Sequence, residues 1–316
     1  MGALTPYADS VMAPGADEAS MTEAEFLTSL RRLPLHPGAL GLADDAARLG
    51  GFVVTTDTLV EGVHFLPADP PGDVAWKLVA VSLSDLAGKG ATPEGILLNY
   101  PLSGEAWDRA FLAGLQATLA ALDCPLLGGD TVSLPVGAPR VLTLTAFGAD
   151  APAPPRAGAR VGDRLWVTGT IGDAGAGLAI AQGAPGPDAL LAAYRRPRPR
   201  LAEGRLLGPK AHAMMDVSDG LLIDAWRMAA ASGLALTIAL DAVPLSPAYR
   251  AFAGDDPLAA ATAGDDYQLL AALPPGERPT GHATLIGAFS RGSGLSLTSR
   301  GEPVALPARL GYEHRA

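Results

Sequence analysis

Apolar positions along the chain follow two rhythms, one with the spacing of helices and one with the alternation of strands. Residues 22–32 carry apolar side chains at helical spacing, and Thr22-x-x-Glu25 has the form of a capping box, so a short amphipathic helix is expected there. The run 52–56 (FVVTT) is β-rich and ends at Asp57. Asp73 is expected to cap a helix reaching about Ala87 through Val79, Val81, Leu83 and Leu86. Residues 96–98 read as a strand, 105–122 as a helix and 141–147 as a strand. After a Pro/Gly/Ala-rich stretch at 151–162, strands are expected at 164–168, 234–240 and 267–272, and helices at 172–182, 202–210 and 221–231. Strands and helices mix without strict alternation, which points to an α+β architecture. The stretch at 151–162 divides it into domains 21–150 and 151–316, and residues 1–20 read as a disordered lead.

Composition narrows the function classes. The 316 residues carry a net charge of −10, which argues against nucleic acid as a partner. An acidic chain can still hold phosphate esters if divalent cations lie between the two. The only cysteine, Cys124, permits no intrachain disulfide and fits a reducing, cytoplasmic setting. No run is long enough for a membrane helix, and no basic-then-apolar leader opens the sequence.

The candidate chemistry lies in aspartates set beside Gly, Ser or Thr and next to apolar runs. They occur in Ala43-Asp44-Asp45-Ala46, Thr55-Thr56-Asp57-Thr58, Ser82-Leu83-Ser84-Asp85, Gly128-Gly129-Asp130-Thr131, Asp216-Val217-Ser218-Asp219-Gly220 and Gly264-Asp265-Asp266-Tyr267. Carboxylates with small neighbours at element ends can reach a metal or phosphate, and hard oxygen donors suit Mg²⁺. Taken singly, each reads more readily as a turn residue or helix cap. P-loop, H-E-x-x-H and G-x-S-x-G motifs are absent. Gly169-x-x-Gly172-x-x-Gly175 has two readings, a phosphate cradle or a close strand-to-helix turn. The basic run Arg195-Arg196-Pro197-Arg198-Pro199-Arg200 is either an anion patch or a solvated connector.

In chain order the motifs are G-x-x-D-D, T-D-T-L-V-x-G-x-H-F, V-x-L-S-D-L-A, G-G-D-T, G-D-x-x-x-V-T-G-T-x-G-D, R-P-x-P-R, D-x-S-D-G-L and G-x-D-Y. As an ordered set they resemble the thiamine-monophosphate kinase family over about residues 22–316. The resemblance implies the two-domain fold of aminoimidazole ribonucleotide synthetases, with the N-terminal sheet pairing into a barrel-like homodimer. It implies an ATP-dependent kinase that uses several Mg²⁺ ions and phosphorylates thiamine monophosphate to the diphosphate. Carried over position by position, it makes Asp45, Thr55, Thr56, Asp57, Asp85, Asp130, Asp216 and Asp219 metal ligands. Gly129, Asp130, Arg156 and Ser218 become ATP contacts, and His64, Asp265 and Tyr312 substrate contacts. No general base is expected, because the attacking phosphate oxygen is already anionic.

Three positions depart from the family pattern. Ala43 replaces a glycine in the G-x-G-D-D turn, so that turn should differ; Thr55 replaces serine; and Asp265 replaces glutamate, shortening its reach by one methylene. The alternatives are another ATP-using reaction of the superfamily, such as amidine ring closure or selenophosphate formation, or a non-catalytic nucleotide-binding paralogue. Selenophosphate synthetases and the related hydrogenase-maturation protein use a terminal cysteine or selenocysteine, whereas Cys124 is internal.

Overall fold

The computed structural model describes residues 22–279 and 283–313, so the lead expected over residues 1–20 lies outside the described residues. These fall into two compact units, one up to Pro34 and one spanning Leu35–Glu313. The first holds helix α1 (Glu23–Leu30), opened by the expected capping box: the Thr22 side chain accepts the Glu25 N–H, and the Glu25 carboxylate accepts the Thr22 N–H at 2.9 Å.

The second unit contains two mixed sheets. In the first, β1 (Ala47–Leu49), β2 (Phe52–Val60), β3 (Thr92–Leu102), β4 (Leu126–Ser133) and β5 (Val141–Ala149) lie in the order β1-β2-β5-β3-β4. Only the β3/β4 pair is parallel. Helices α2 (Pro71–Gly88) and α3 (Glu105–Leu122) complete this half. Helix α2 begins two residues before the expected Asp73 cap. Pro71 supplies the preset φ of a first helical position and has no N–H to leave unpaired, so Asp73 falls within the first turn. The helix is apolar nearly all round because it is buried, with Val74, Leu78, Val81 and Leu86 in one core with Val53, Leu142, Leu144 and Ala146 of the sheet.

The opposite face of this sheet carries Thr56, Thr58, Thr143 and Thr145, whose hydroxyls pair across the strands: Thr58 with Thr143 at 2.9 Å, and Thr145 with Thr56 at 3.1 Å. Strand β4 is exposed along its whole length.

The expected linker at 151–162 has no regular structure but is strapped down. Ala153 N–H donates to the Lys89 carbonyl at 3.0 Å, and Met214 N–H to that of Pro155 at 3.3 Å. The second sheet then follows. It contains β6 (Arg164–Thr168), β7 (Ala213–Asp216), β8 (Ala235–Ala239), β9 (Leu269–Leu273), β10 (Ala283–Ser290), β11 (Gly294–Ser299) and β12 (Glu302–Val304), ordered β12-β11-β8-β10-β6-β9-β7. Only β8 and β11 run parallel. Helices α4 (Asp173–Ala181), α5 (Asp188–Arg195), α6 (Leu201–Leu207), α7 (Leu221–Ala231), α8 (Pro247–Ala253) and α9 (Pro257–Thr262) lie between these strands in sequence. The core joins Leu165 and Val167 of β6 to Leu222 and Met228 of α7 and Phe289 of β10.

The two halves meet at the C-terminal end of α2. A side chain at Gly88 would already touch the backbone of Met215 and Asp216 at 3.4 Å, so the end of β7 lies against the helix turn that follows Asp85. No helix among the described residues is long and apolar enough to cross a membrane.

Candidate active site

Period-two alternation on β2 divides the Thr55-Thr56-Asp57 motif between the sheet's two faces. Thr55 and Asp57 pair with the buried Ala146 and Leu144 and share the face covered by α2. Thr55 Oγ1 donates to Asp85 Oδ2 at 2.5 Å, which ties β2 to α2. Thr56 points the other way. Register puts Asp130 on that same free face, since Asp130 lies opposite Asn99 and Asn99 opposite Thr143. Asp130 is exposed on β4, which is three strand positions from β2.

On the covered face the structure gathers Asp45, Asp57, Asp85 and Asp216, whose charges act on one another. Burial, reinforced by Asp57, Asp216 and Asp45, holds Asp85 well above the ordinary carboxylate range. Burial, with Asp45 the next contributor, lifts Asp216 to about 8. Burial also raises Asp57, opposed by the nearby Ser82 hydroxyl and aided by Asp45. Asp45 goes the other way: burial pushes it up, but Lys89 and Arg156 outweigh that and leave it lowered. One oxygen of the cluster, Asp57 Oδ2, is buried with no hydrogen-bond partner. A buried anionic oxygen left over among mutually repelling carboxylates is the arrangement that a hard cation completes.

Two neighbouring groups already form ion pairs. Arg156, expected to contact ATP, is bonded to Asp45, and Asp219 to Arg227. As they stand, no three or more His, Cys, Asp or Glu side chains among the described residues are grouped so that they could hold a metal ion. Ala43 takes an ordinary φ of −111°, and the turn before it instead places Leu40, Gly41 and Leu42 at positive φ.

The Asp216-to-Gly220 loop is organised by Asp224, whose Oδ2 accepts the N–H groups of Ser218, Asp219 and Gly220 at 3.0, 3.0 and 3.2 Å. Two further segments dock on this loop. Asp265 and Tyr267, both at positive φ, donate their N–H groups to the carbonyls of Ser218 and Val217. Tyr312 N–H donates to the Asp219 carbonyl at 2.9 Å. A side chain on Gly311 would fall 2.4 Å from that same carbonyl, so only glycine allows the approach.

His64 and Asp265 are joined by a residue the motifs did not single out. Lys77, buried in α2, donates to the His64 carbonyl at 2.9 Å and to Asp265 Oδ2 at 2.7 Å, with its ammonium 4.2 Å from the centre of the Tyr194 ring. The Val60 N–H donates to His64 Nδ1, which places the imidazole proton on Nε2. The signal for Lys77 was in the sequence, as a lysine inside the apolar run of a buried helix.

Both open alternatives resolve toward structure. Gly169 and Gly175 lie where a side chain would strike Gln268 and Ala263, and at the turn Asp266 Oδ2 accepts the Gly172 N–H at 2.8 Å. An internal carboxylate and close packing therefore fill the place of a phosphate. The basic run is a clasp: Arg195 pairs with Asp69, and Arg196 with Asp73 and the Trp76 ring, while Trp76 Nε1 donates to the Pro197 carbonyl at 2.7 Å.

Two mixed sheets with a carboxylate cluster at their junction define a protein of the AIR synthase type. Residues 43–149 match the AIR synthase related protein N-terminal domain and residues 160–288 its C-terminal domain. Thiamine-monophosphate kinase of Caulobacter vibrioides is 39% identical, over 97% of this chain and 94% of its own length. That of Escherichia coli strain K12 is 37% identical, over 88% and 92%. A solved structure of AaThiL complexed with AMPPCP and TMP superposes with a TM-score of 0.81 at 29% identity, over 93% of this chain and 97% of that one. The chain belongs to the thiamine-monophosphate kinase family.

Proposed function

We propose that this chain transfers the γ-phosphoryl group of ATP to the phosphate of thiamine monophosphate, giving thiamine diphosphate and ADP. The observation that carries the reading is the buried cluster of Asp45, Asp57, Asp85 and Asp216 with its unpartnered Asp57 Oδ2. The names and ligands of the relatives supply the substrates.

Magnesium fits this donor set. Asp45, Asp57, Asp85 and Asp216 would hold it, with Thr55 and Asp219 beside them. Thr56 and Asp130 lie on the opposite, free face, where they would hold a further ion. Bound there, the metal supplies neutralisation of the charge that two phosphates bring together; two unit charges about 4 Å apart repel by roughly 4 kcal/mol at an effective dielectric near 20.

The chain's own residues orient the reactants. Gly129, Arg156 and Ser218 are assigned to ATP, and His64, Asp265 and Tyr312 to the thiamine portion, with His64 able to donate from Nε2. The attacking phosphate oxygen is anionic near neutral pH, so no residue is assigned as proton acceptor. Catalysis is alignment for in-line transfer together with charge neutralisation.

In the same reading, residues 21–150 form the ATP-binding, Mg²⁺-binding and dimerisation domain, and residues 151–316 the C-terminal domain of a cytoplasmic homodimer. The exposed β4 and the threonine-lined face support a second copy as the cover of this sheet.

Incubation with ATP, Mg²⁺ and thiamine monophosphate, followed by product analysis, tests the proposal. Thiamine diphosphate and ADP should appear in equal amounts, free thiamine should give none, and chelation should stop the reaction until Mg²⁺ is restored. Equal turnover of free thiamine, or full transfer in chelator, would overturn it.

A further inference from the structure

Lys89 caps the C-terminus of α2 and is only 2% exposed. Its ammonium has four oxygen neighbours: Asp44 Oδ1 at 2.5 Å, Asp45 Oδ2 at 3.3 Å, the Met214 carbonyl at 3.2 Å and the Pro154 carbonyl at 3.4 Å. These come from three separate places in the chain: the turn before β1, the strap between the sheets and strand β7, all joined by the residue that ends α2. The backbone completes the arrangement, since the Lys89 carbonyl accepts the Ala153 N–H.

A buried monocation among carboxylate and carbonyl oxygens has the surroundings that proteins otherwise give to a dehydrated alkali ion, whose hydration shell is replaced by such oxygens. A lysine differs from a free ion in two respects. Its charge is tethered, so it cannot be washed out. It also donates only three hydrogen bonds, so it favours a small, fixed set of acceptors.

We infer that Lys89 is a built-in monovalent cation of the acidic centre, holding Asp44 and Asp45 against the carbonyls of Pro154 and Met214 and taking a place that would otherwise need a free potassium or ammonium ion. The inference deepens the assignment of Asp45 to magnesium, because it gives that carboxylate a fixed position and a partner before any divalent ion arrives. Lys89 is a positioning residue here, acting through Asp45. An ordinary buried ion pair would not produce dependence on a particular salt, and the test turns on that difference.

The measurement is thermal unfolding of the metal-free full-length chain, without nucleotide, in choline chloride, sodium chloride, potassium chloride and ammonium chloride at equal ionic strength. The wild type should unfold at the same temperature in potassium, ammonium and choline. Lys89→Ala, which removes the charge and opens space, should unfold roughly 5–10 °C lower in choline chloride. It should recover at least half of that loss in potassium or ammonium chloride. Lys89→Gln, which keeps most of the volume and can still donate, should follow the same pattern with a smaller loss and carries the test if the alanine variant does not fold. Apparent Mg²⁺ affinity, measured by calorimetry, should fall roughly tenfold in each variant and recover with the same salts. Variants equally destabilised in every salt would make Lys89 a plain structural ion pair, and a potassium requirement in the wild type would show that its ammonium does not fill the place; either result overturns the inference. Failure of the kinase assay would leave the unfolding result standing, because that measurement uses neither substrate.

Discussion

Two regions of this molecule bury aspartates at the ends of strands and helices, and they treat them in opposite ways. At the start of α4, Asp266 spends both oxygens on backbone donors, accepting Gly172 N–H at 2.8 Å and Ala174 N–H at 3.3 Å. Burial lifts Asp266 to about 8, as it does Asp216, so the difference lies in the hydrogen bonds: where α2 meets β2 and β7, Asp57 keeps an oxygen without a partner beside Asp85 and Asp216. The first arrangement is finished by the polypeptide and serves the fold. The second is left electrostatically incomplete, and a polypeptide tolerates that cost where a ligand will repay it.

Substitution tests this contrast most strongly in the second region. Asp57→Asn should lower kcat by at least about 100-fold, because it removes charge complementarity to the transition state. Its unfolding temperature should equal or exceed that of the wild type, since an unpaired buried carboxylate is gone. Asp130→Asn should cost a similar factor in rate if the free face of the sheet takes part. A near-normal rate there would confine the chemistry to the covered face. Steady-state kinetics and thermal unfolding on the same samples separate these outcomes.

The mirror experiment lies at α4. Asp266→Ala leaves two buried backbone donors unsatisfied, at roughly 1–3 kcal/mol for each. The urea midpoint should fall accordingly, and an unchanged midpoint would dissolve the contrast between the two regions.

The smallest expected effect belongs to Asp265, which lies between them in character, paired to Lys77 and yet partly exposed. Asp265→Ala should raise KM for thiamine monophosphate by about tenfold while changing kcat little, the pattern of a lost binding contact. Lys77→Met, which releases Asp265 and the His64 carbonyl together, should move KM in the same direction. A fall in kcat with unchanged KM would instead place Asp265 in the chemical step.

Much of this could be read from the residues in order. Helices α3 and α7 and strand β6 begin and end where periodicity put them, and the Thr22 capping box forms as written. The aspartate motifs are local, so their order along the chain carried the family resemblance. What escaped was set by contacts distant in sequence. Lys77 and Lys89 are tolerable in a buried helix only because Asp265, 188 positions away, and Asp45, 44 positions away, reach them. Whether the glycines at 169–175 cradle phosphate or pack closely depended on Gln268, Ala260 and Ala263, which no local pattern brings near. The division of Thr55 and Asp57 from Thr56 follows from strand alternation alone, but a motif read as one string hides it.

Helix α2 carries Lys77, beside the residues assigned to the thiamine portion, and Asp85, within the cluster assigned to phosphate. They are eight helical steps apart, a rise of roughly 12 Å. A helix packed on nearly every side does not stretch, so the molecule contains a ruler. On the proposed reading, that ruler measures the substrate from its cationic ring to its phosphate. An analogue with a lengthened side chain would then keep both of its end groups and still be a poor acceptor, because it could not present both ends at once.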